Sequence, residues 1–187
     1  MYDYWHWQNM LDKEEIKKVV NICESNVDSL GDLRGPPPPG EQLPTKTSKV
    51  TCTRWGHLSE ILGETYAEWQ AANQSSFGYN LYPIPELTLL NYNVYDSSNS
   101  GEYDFHIDSS STNIYDIKLT AMINLSEEYY EGGELIMFTA GKFREIGGFS
   151  SPGSSILFKS WIPHKVTPVT KGIRKTISLW ISGPRFI

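Results

Sequence analysis

The chain has 187 residues, 39% hydrophobic and 20% charged, which suits one domain with a buried core and excludes a disordered chain. The formal net charge is −6, with no basic cluster beyond Lys171, Arg174 and Lys175, which argues against nucleic acid as the main partner. No apolar run approaches about 18 residues, and the first ten residues lack a basic start and a continuous apolar stretch, so a soluble, cytoplasmic protein without membrane contact is expected.

Asp12 followed three positions later by Glu15 reads as an N-cap, and Ile16, Val19, Val20 and Cys23 then recur at helical spacing. A helix over about 12–25 follows. Pro36 to Pro39 lack amide donors and predict polyproline II or an exposed loop. Val50, Cys52 and Trp55 suggest a short strand at 48–55. Ile61, Leu62, Tyr66 and Trp69 suggest a second helix at 58–74. Cys23 and Cys52 form no CxxC pair and read as small buried thiols.

From residue 86 the character changes. Strand-like runs at 86–96, 103–107, 117–125, 134–139, 154–159, 165–169 and 175–182 alternate with Gly, Ser, Pro and Asn turns. They are too closely spaced for parallel strands joined by helices. The expected class is mainly β with N-terminal helices, built on a jelly-roll-type double sheet. The helices would cover an outer face and an exposed edge. A single domain over 1–187 is expected, with helical support at 1–85 and the β core at 86–187.

His106-Ile107-Asp108 is the first chemical signal. On a strand, positions i and i+2 share a face, so an imidazole and a carboxylate converge from one side. Two His and one carboxylate on one face of an iron leave positions open for co-substrate and oxygen. His164, opening the run at 165–169, is the best third ligand. With four His and eight Asp in the chain, HxD arises by chance roughly once in six such sequences. His6 and His57 lie in the helical part without a partner.

Arg174 stands ten positions after His164, and the parity of its strand is informative. Arg174, Thr176, Ser178 and Trp180 share one face; Ile177, Leu179 and Ile181 share the other. An aliphatic face is core, whereas a face carrying a buried Arg needs a counter-anion, which a dicarboxylate satisfies. In 117–125, Thr120 shares a face with Lys118, Met122 and Asn124, and could point into the same cavity.

These residues match known motifs. Tyr103-Asp104-Phe105-His106-Ile107-Asp108 resembles the YxxHxD motif of prolyl 4-hydroxylases. Glu131-Gly132-Gly133-Glu134-Leu135 resembles the EGGEL segment of PKHD-type hydroxylases. Residues 164–174, HKVTPVTKGIR, are similar to their HRVTPVTKGxR segment. The resemblance covers about 86–187 and implies a double-stranded β-helix with Fe(II) on His106, Asp108 and His164. It implies 2-oxoglutarate as co-substrate with Arg174 on its distal carboxylate, O2 as oxidant, and ascorbate as a candidate reductant. Tyr103 and Ser178 match positions at the 2-oxoglutarate pocket. Trp180 matches a pocket tryptophan of oxygen-sensing prolyl hydroxylases. Tyr95, or else Tyr92, corresponds to an upstream motif tyrosine. The connection at 96–102 is longer than is usual in the family.

The implied reaction converts 2-oxoglutarate to succinate and CO2 while a C–H bond is hydroxylated. A proline-containing peptide or protein is the expected substrate, with Tyr95, Trp161 and Trp180 as flat surfaces for the ring. A free amino acid or other small molecule is the alternative. A metal-binding β-sandwich without turnover is the alternative of another class, and Arg174 speaks against it.

Overall fold

In the computed structural model, which describes residues 2–25, 45–109 and 111–186, two antiparallel sheets form a jelly roll with helices on one outer face. Pro36 to Pro39 lie outside the described residues. Strand β1 (Tyr4–Trp7) precedes helix α1 (Lys13–Ser25). Asp12 and Glu15 cap α1 reciprocally: each backbone N–H donates to the other's carboxylate at 2.8 Å. Replacing Asp12 with alanine is expected to cost about 1 kcal/mol in urea-induced unfolding. The stripe Ile16, Val19, Val20 and Cys23 is buried, and burial pushes the Cys23 thiol up to about 12, so it is an inert packing group.

Strand β2 (Lys49–Arg54) runs directly into α2 (Trp55–Ala72), three residues earlier than the sequence suggested. Arg54 makes no side-chain cap, so no capping signal marked that start. One π-helical turn, Asn73–Phe77, extends the helix. Both helices bury Leu58, Leu62, Trp69 and the α1 stripe against the sheet. No helix among the described residues is long and apolar enough to cross a membrane.

The later strands are β3 (Leu89–Asp96), β4 (Tyr103–His106), β5 (Tyr115–Asn124), β6 (Glu131–Gly132), β7 (Leu135–Thr139) and β8 (Lys142–Glu145). They continue with β9 (Ser155–Lys159), β10 (His164–Val166), β11 (Val169–Lys171) and β12 (Ile173–Pro184). The larger sheet has the order β1-β9-β5-β12-β3-β2, the smaller one β4-β10-β7-β8, and β11 pairs with β6. Met122, Ile156 and Phe158 of the larger sheet pack on Leu135 and Met137 of the smaller one.

Face assignments follow parity. Leu119, Ala121 and Ile123 on β5, and Ile177, Leu179 and Ile181 on β12, are buried under the helices. Arg174, Thr176 and Ser178 are buried on the opposite, interior side. Three strands have no counterpart in the sequence reading: β1, β6 and β8. His6 therefore sits on a strand, opposite Ile156, and not in a helical part. The run at 165–169 is two strands, because Pro168 has no N–H for the ladder and breaks it between Val166 and Val169.

Candidate active site

His106 ends β4 and His164 opens β10, and the two residues are partners across those strands. Asp108 lies two residues beyond the end of β4, so strand geometry does not orient it as the sequence suggested. Its backbone N–H donates to the Ser160 carbonyl at 2.8 Å, which brings the carboxylate back over the histidines. Asp108 Oδ1 lies 3.6 Å from His106 Nε2, and Oδ2 lies 3.5 Å from His164 Nε2. Among the described residues these three form the one group whose donor atoms all lie within 4.8 Å and could hold a metal ion.

Each imidazole is anchored by its other nitrogen. His106 Nδ1 is 2.7 Å from the Asp104 carbonyl, and His164 Nδ1 is 2.9 Å from the Ile162 carbonyl. A carbonyl only accepts, so both Nδ1 atoms carry hydrogen and both Nε2 atoms are turned to the centre. Burial pushes His106 down to about 4; His164 adds to this and Asp108 opposes it. The ring is thus neutral and ready to ligate at pH 7. In metal-free protein the unfolded chain binds a proton below about 6.5 that the folded chain refuses until about 4. Stability therefore falls as pH falls through that window. Urea unfolding of chelator-treated protein is expected to lose about 2 kcal/mol between pH 7 and pH 5 from this group, and His106→Asn is expected to remove that loss.

The cavity before the triad is lined by Lys46, Asn91, Asn93, Tyr95, Tyr103, Ser178 and Trp180, with Met122 and Val166. Its volume is ≈ 30 Å³, room for about two waters. Tyr103 stacks on His106 at 3.5 Å between ring centroids. Ser178 Oγ accepts from Asn93 Nδ2 at 3.3 Å. Tyr95 is the upstream tyrosine that faces this cavity. Tyr92 points the other way, into the helix-covered core, with its hydroxyl on Glu24 at 3.0 Å. Thr120 faces the interior as expected, but its hydroxyl donates to Asp108 Oδ2 at 2.9 Å. Trp161 does not line the cavity. It is exposed and packs edge-on against Tyr79 and Phe186.

Arg174 is 1% exposed, and none of its guanidinium nitrogens has a hydrogen-bond partner among the described residues. Its Cζ lies 5.1 Å from the Tyr95 ring and 5.8 Å from the Phe149 ring. It does not line the triad's cavity; Tyr95 touches both. Arg174 instead borders a cavity of ≈ 310 Å³ formed by residues 129–135 with Ile146 and Phe149. The Glu-Gly-Gly-Glu segment has a packing reason. Gly132 and Gly133 both have positive φ, and a Cβ on Gly133 would stand 2.7 Å from Arg174 Cδ. The second glycine makes room for the arginine stem.

The sequence reading missed Lys46, Asn91, Asn93 and Ser160. The two asparagines were legible: in 90–95, Leu90, Tyr92 and Val94 alternate with Asn91, Asn93 and Tyr95, which marks a polar interior face. Lys46 forms an isolated β-bridge opposite Tyr103 before β2, and nothing periodic announces it. Its Nζ donates to Asn93 Oδ1 at 3.3 Å and lies 4.5 Å over the Tyr103 ring.

The model of the 2OG-Fe(II) oxygenase superfamily matches residues 90–182, the span from β3 to β12 that holds the triad and Arg174. The chain belongs to the 2OG-Fe(II) oxygenase superfamily. The superfamily's cofactor and co-substrates are Fe(II), 2-oxoglutarate and O2, and the donor set here suits them: two imidazoles, one carboxylate and a buried cation without a counter-anion among the described residues. A PKHD-type hydroxylase of Alteromonas mediterranea is 37% identical over 94 residues, 46% of this chain and 40% of the relative. One of Acinetobacter baumannii is 25% identical over 191 residues, 95% of this chain and 77% of the relative. The first relatives are thus matched over about two fifths of their length. A Pseudomonas putida prolyl-4-hydroxylase has the same fold, with a TM-score of 0.71, 20% identity, and coverage of 99% of this chain and 95% of its own.

Proposed function

We propose that this oxygenase is a hydroxylase that converts 2-oxoglutarate to succinate and CO2 while hydroxylating a peptidyl proline. The observation that carries the reading is Arg174, a fully buried cation whose guanidinium nitrogens make no well-formed hydrogen bond among the described residues, beside Tyr95 and one tyrosine away from the His106, Asp108 and His164 group. A buried guanidinium is stable only with an anion, and its planar fork fits a carboxylate through two parallel hydrogen bonds. His106, Asp108 and His164 would hold Fe(II), and Arg174 would hold the far carboxylate of 2-oxoglutarate. The bound iron supplies oxygen activation and the co-substrate supplies two electrons.

The remaining roles belong to this chain's own side chains. Tyr103 braces the His106 ring by stacking, and Ser178 and Tyr95 line the path toward Arg174. The cavity of ≈ 30 Å³ is smaller than the dicarboxylate, so lining side chains must turn to admit it. Trp180, with its indole Nε1 buried and without a hydrogen-bond partner among the described residues, gives a flat wall near the His106, Asp108 and His164 group. Proline specificity is supported by the relatives' description as PKHD-type hydroxylases and by the prolyl-4-hydroxylase fold. Trp161 is not used in this reading.

The test is succinate formation with Fe(II) and 2-oxoglutarate, in the presence of proline-containing peptides or of free amino acids, with product mass recorded. A 16 Da gain on proline in a peptide supports the reading. A gain on a free amino acid alone moves the substrate to small molecules. Iron binding without succinate under every condition leaves a binding module and overturns the hydroxylase.

A further inference from the structure

We propose that Thr120 and Ser160 form a positioning pair that fixes the Asp108 carboxylate and decides which of its oxygens meets the metal. The inference rests on the iron reading above. Asp108 stands past the end of β4, where no ladder holds it, yet a carboxylate ligand must be oriented to within a few tenths of an ångström. Its backbone is tied to the Ser160 carbonyl, and its Oδ2 accepts from Thr120 Oγ1 at 2.9 Å. Thr120 Oγ1 lies 3.3 Å from Ser160 Oγ. Thr120 is 1% exposed and Ser160 is fully buried, so water does not compete for either hydroxyl.

Thr120 has one hydrogen, and an ionised carboxylate only accepts. That hydrogen therefore goes to Asp108, and Ser160 supports Thr120 from behind. The arrangement matters because the two carboxylate oxygens are nearly equivalent with respect to the imidazoles, at 3.6 and 3.5 Å. The Thr120 hydroxyl distinguishes them by bonding to Oδ2. With Oδ2 hydrogen-bonded, Oδ1 is left for the metal. A carboxylate bound through both oxygens would take one of the three positions that a chelating co-substrate and dioxygen require.

The test uses the purified full chain without oxygen. Fe(II) affinity is measured by competition with a chromogenic chelator, and the visible absorption of the Fe(II)–2-oxoglutarate complex is recorded. Thr120→Val is expected to weaken Fe(II) binding roughly 10–100-fold and to shift the absorption band. Thr120→Ser, which keeps the hydroxyl, is expected to restore both, and Ser160→Ala to fall between them. Wild-type affinity and an unshifted band in both Thr120→Val and Ser160→Ala overturn the proposal. So does a Thr120→Ser variant as weak as Thr120→Val, which would make the effect one of packing. A wild-type chain that binds no Fe(II) overturns the iron reading itself, whereas unaffected variants of an iron-binding wild type overturn only the positioning pair.

Discussion

Replacing Arg174 with methionine is expected to raise the KM for 2-oxoglutarate by about 100-fold or more, while the ligand-free protein melts no lower than the parent. The two effects have opposite signs because the guanidinium has no hydrogen-bond partner among the described residues until a ligand supplies one. Truncating one member of a buried charge pair costs about 3–5 kcal/mol, which sets the loss in co-substrate binding. Removing an unpaired buried cation takes away a desolvation penalty, and even exchanging whole buried ion pairs for apolar side chains is neutral or gains on the order of 1–4 kcal/mol. The Tyr95 and Phe149 rings beside the guanidinium offset part of that gain through cation–π attraction of up to about 2 kcal/mol. The same variant should lose the thermal shift that 2-oxoglutarate gives the iron-loaded parent, about 2.7 kcal/mol at 100 times Kd. Calorimetry with and without 2-oxoglutarate separates the terms. A variant that unfolds several degrees lower without ligand, or keeps its KM within threefold, refutes this account of Arg174.

Asp108→Ala is expected to abolish succinate formation and to lower Fe(II) affinity by more than the roughly 10–100-fold that outer-shell partners alone are worth. It removes the only carboxylate of the metal group and the acceptor of the Thr120 hydroxyl. Folding should survive, because the backbone bond from residue 108 to the Ser160 carbonyl does not need the side chain. Chelator competition and succinate release, run beside far-ultraviolet circular dichroism, check the three statements together. Residual turnover above a few per cent would place the carboxylate outside the reaction.

Much of this architecture was legible because the informative strands are one-sided. On β12, three aliphatic residues under the helices alternate with Arg174, Thr176 and Ser178 inside the barrel, so parity alone assigned the faces. The same rule placed β5 and would have placed Asn91 and Asn93. Strand β8 was illegible because all four of its residues are exposed and carry no burial pattern. Strand β1 hid in a run of alternating aromatic residues that resembled no regular element. Asp108 shows a different limit. Its proximity to His106 could be read from HxD, but its orientation depends on Ser160 and Thr120, which are 52 and 12 residues away in sequence. Trp161 shows a similar limit: its aromatic ring suggested a flat surface for a substrate ring, but the side to which it turns, toward Tyr79 and Phe186, is not written in the local sequence.

Strand β1 has one more effect on the molecule. It covers β9, and every residue of β9 is buried. Lys159 Nζ, 3.2 Å from Asp3 Oδ1, fastens one end of that pairing. Without β1, the sequence Ser-Ile-Leu-Phe-Lys would become an unpaired, largely apolar sheet edge, the kind of template on which a second chain adds its own strand. The first few residues thus cap that edge, and their removal is expected to show as loss of solubility before any change at the His106, Asp108 and His164 group.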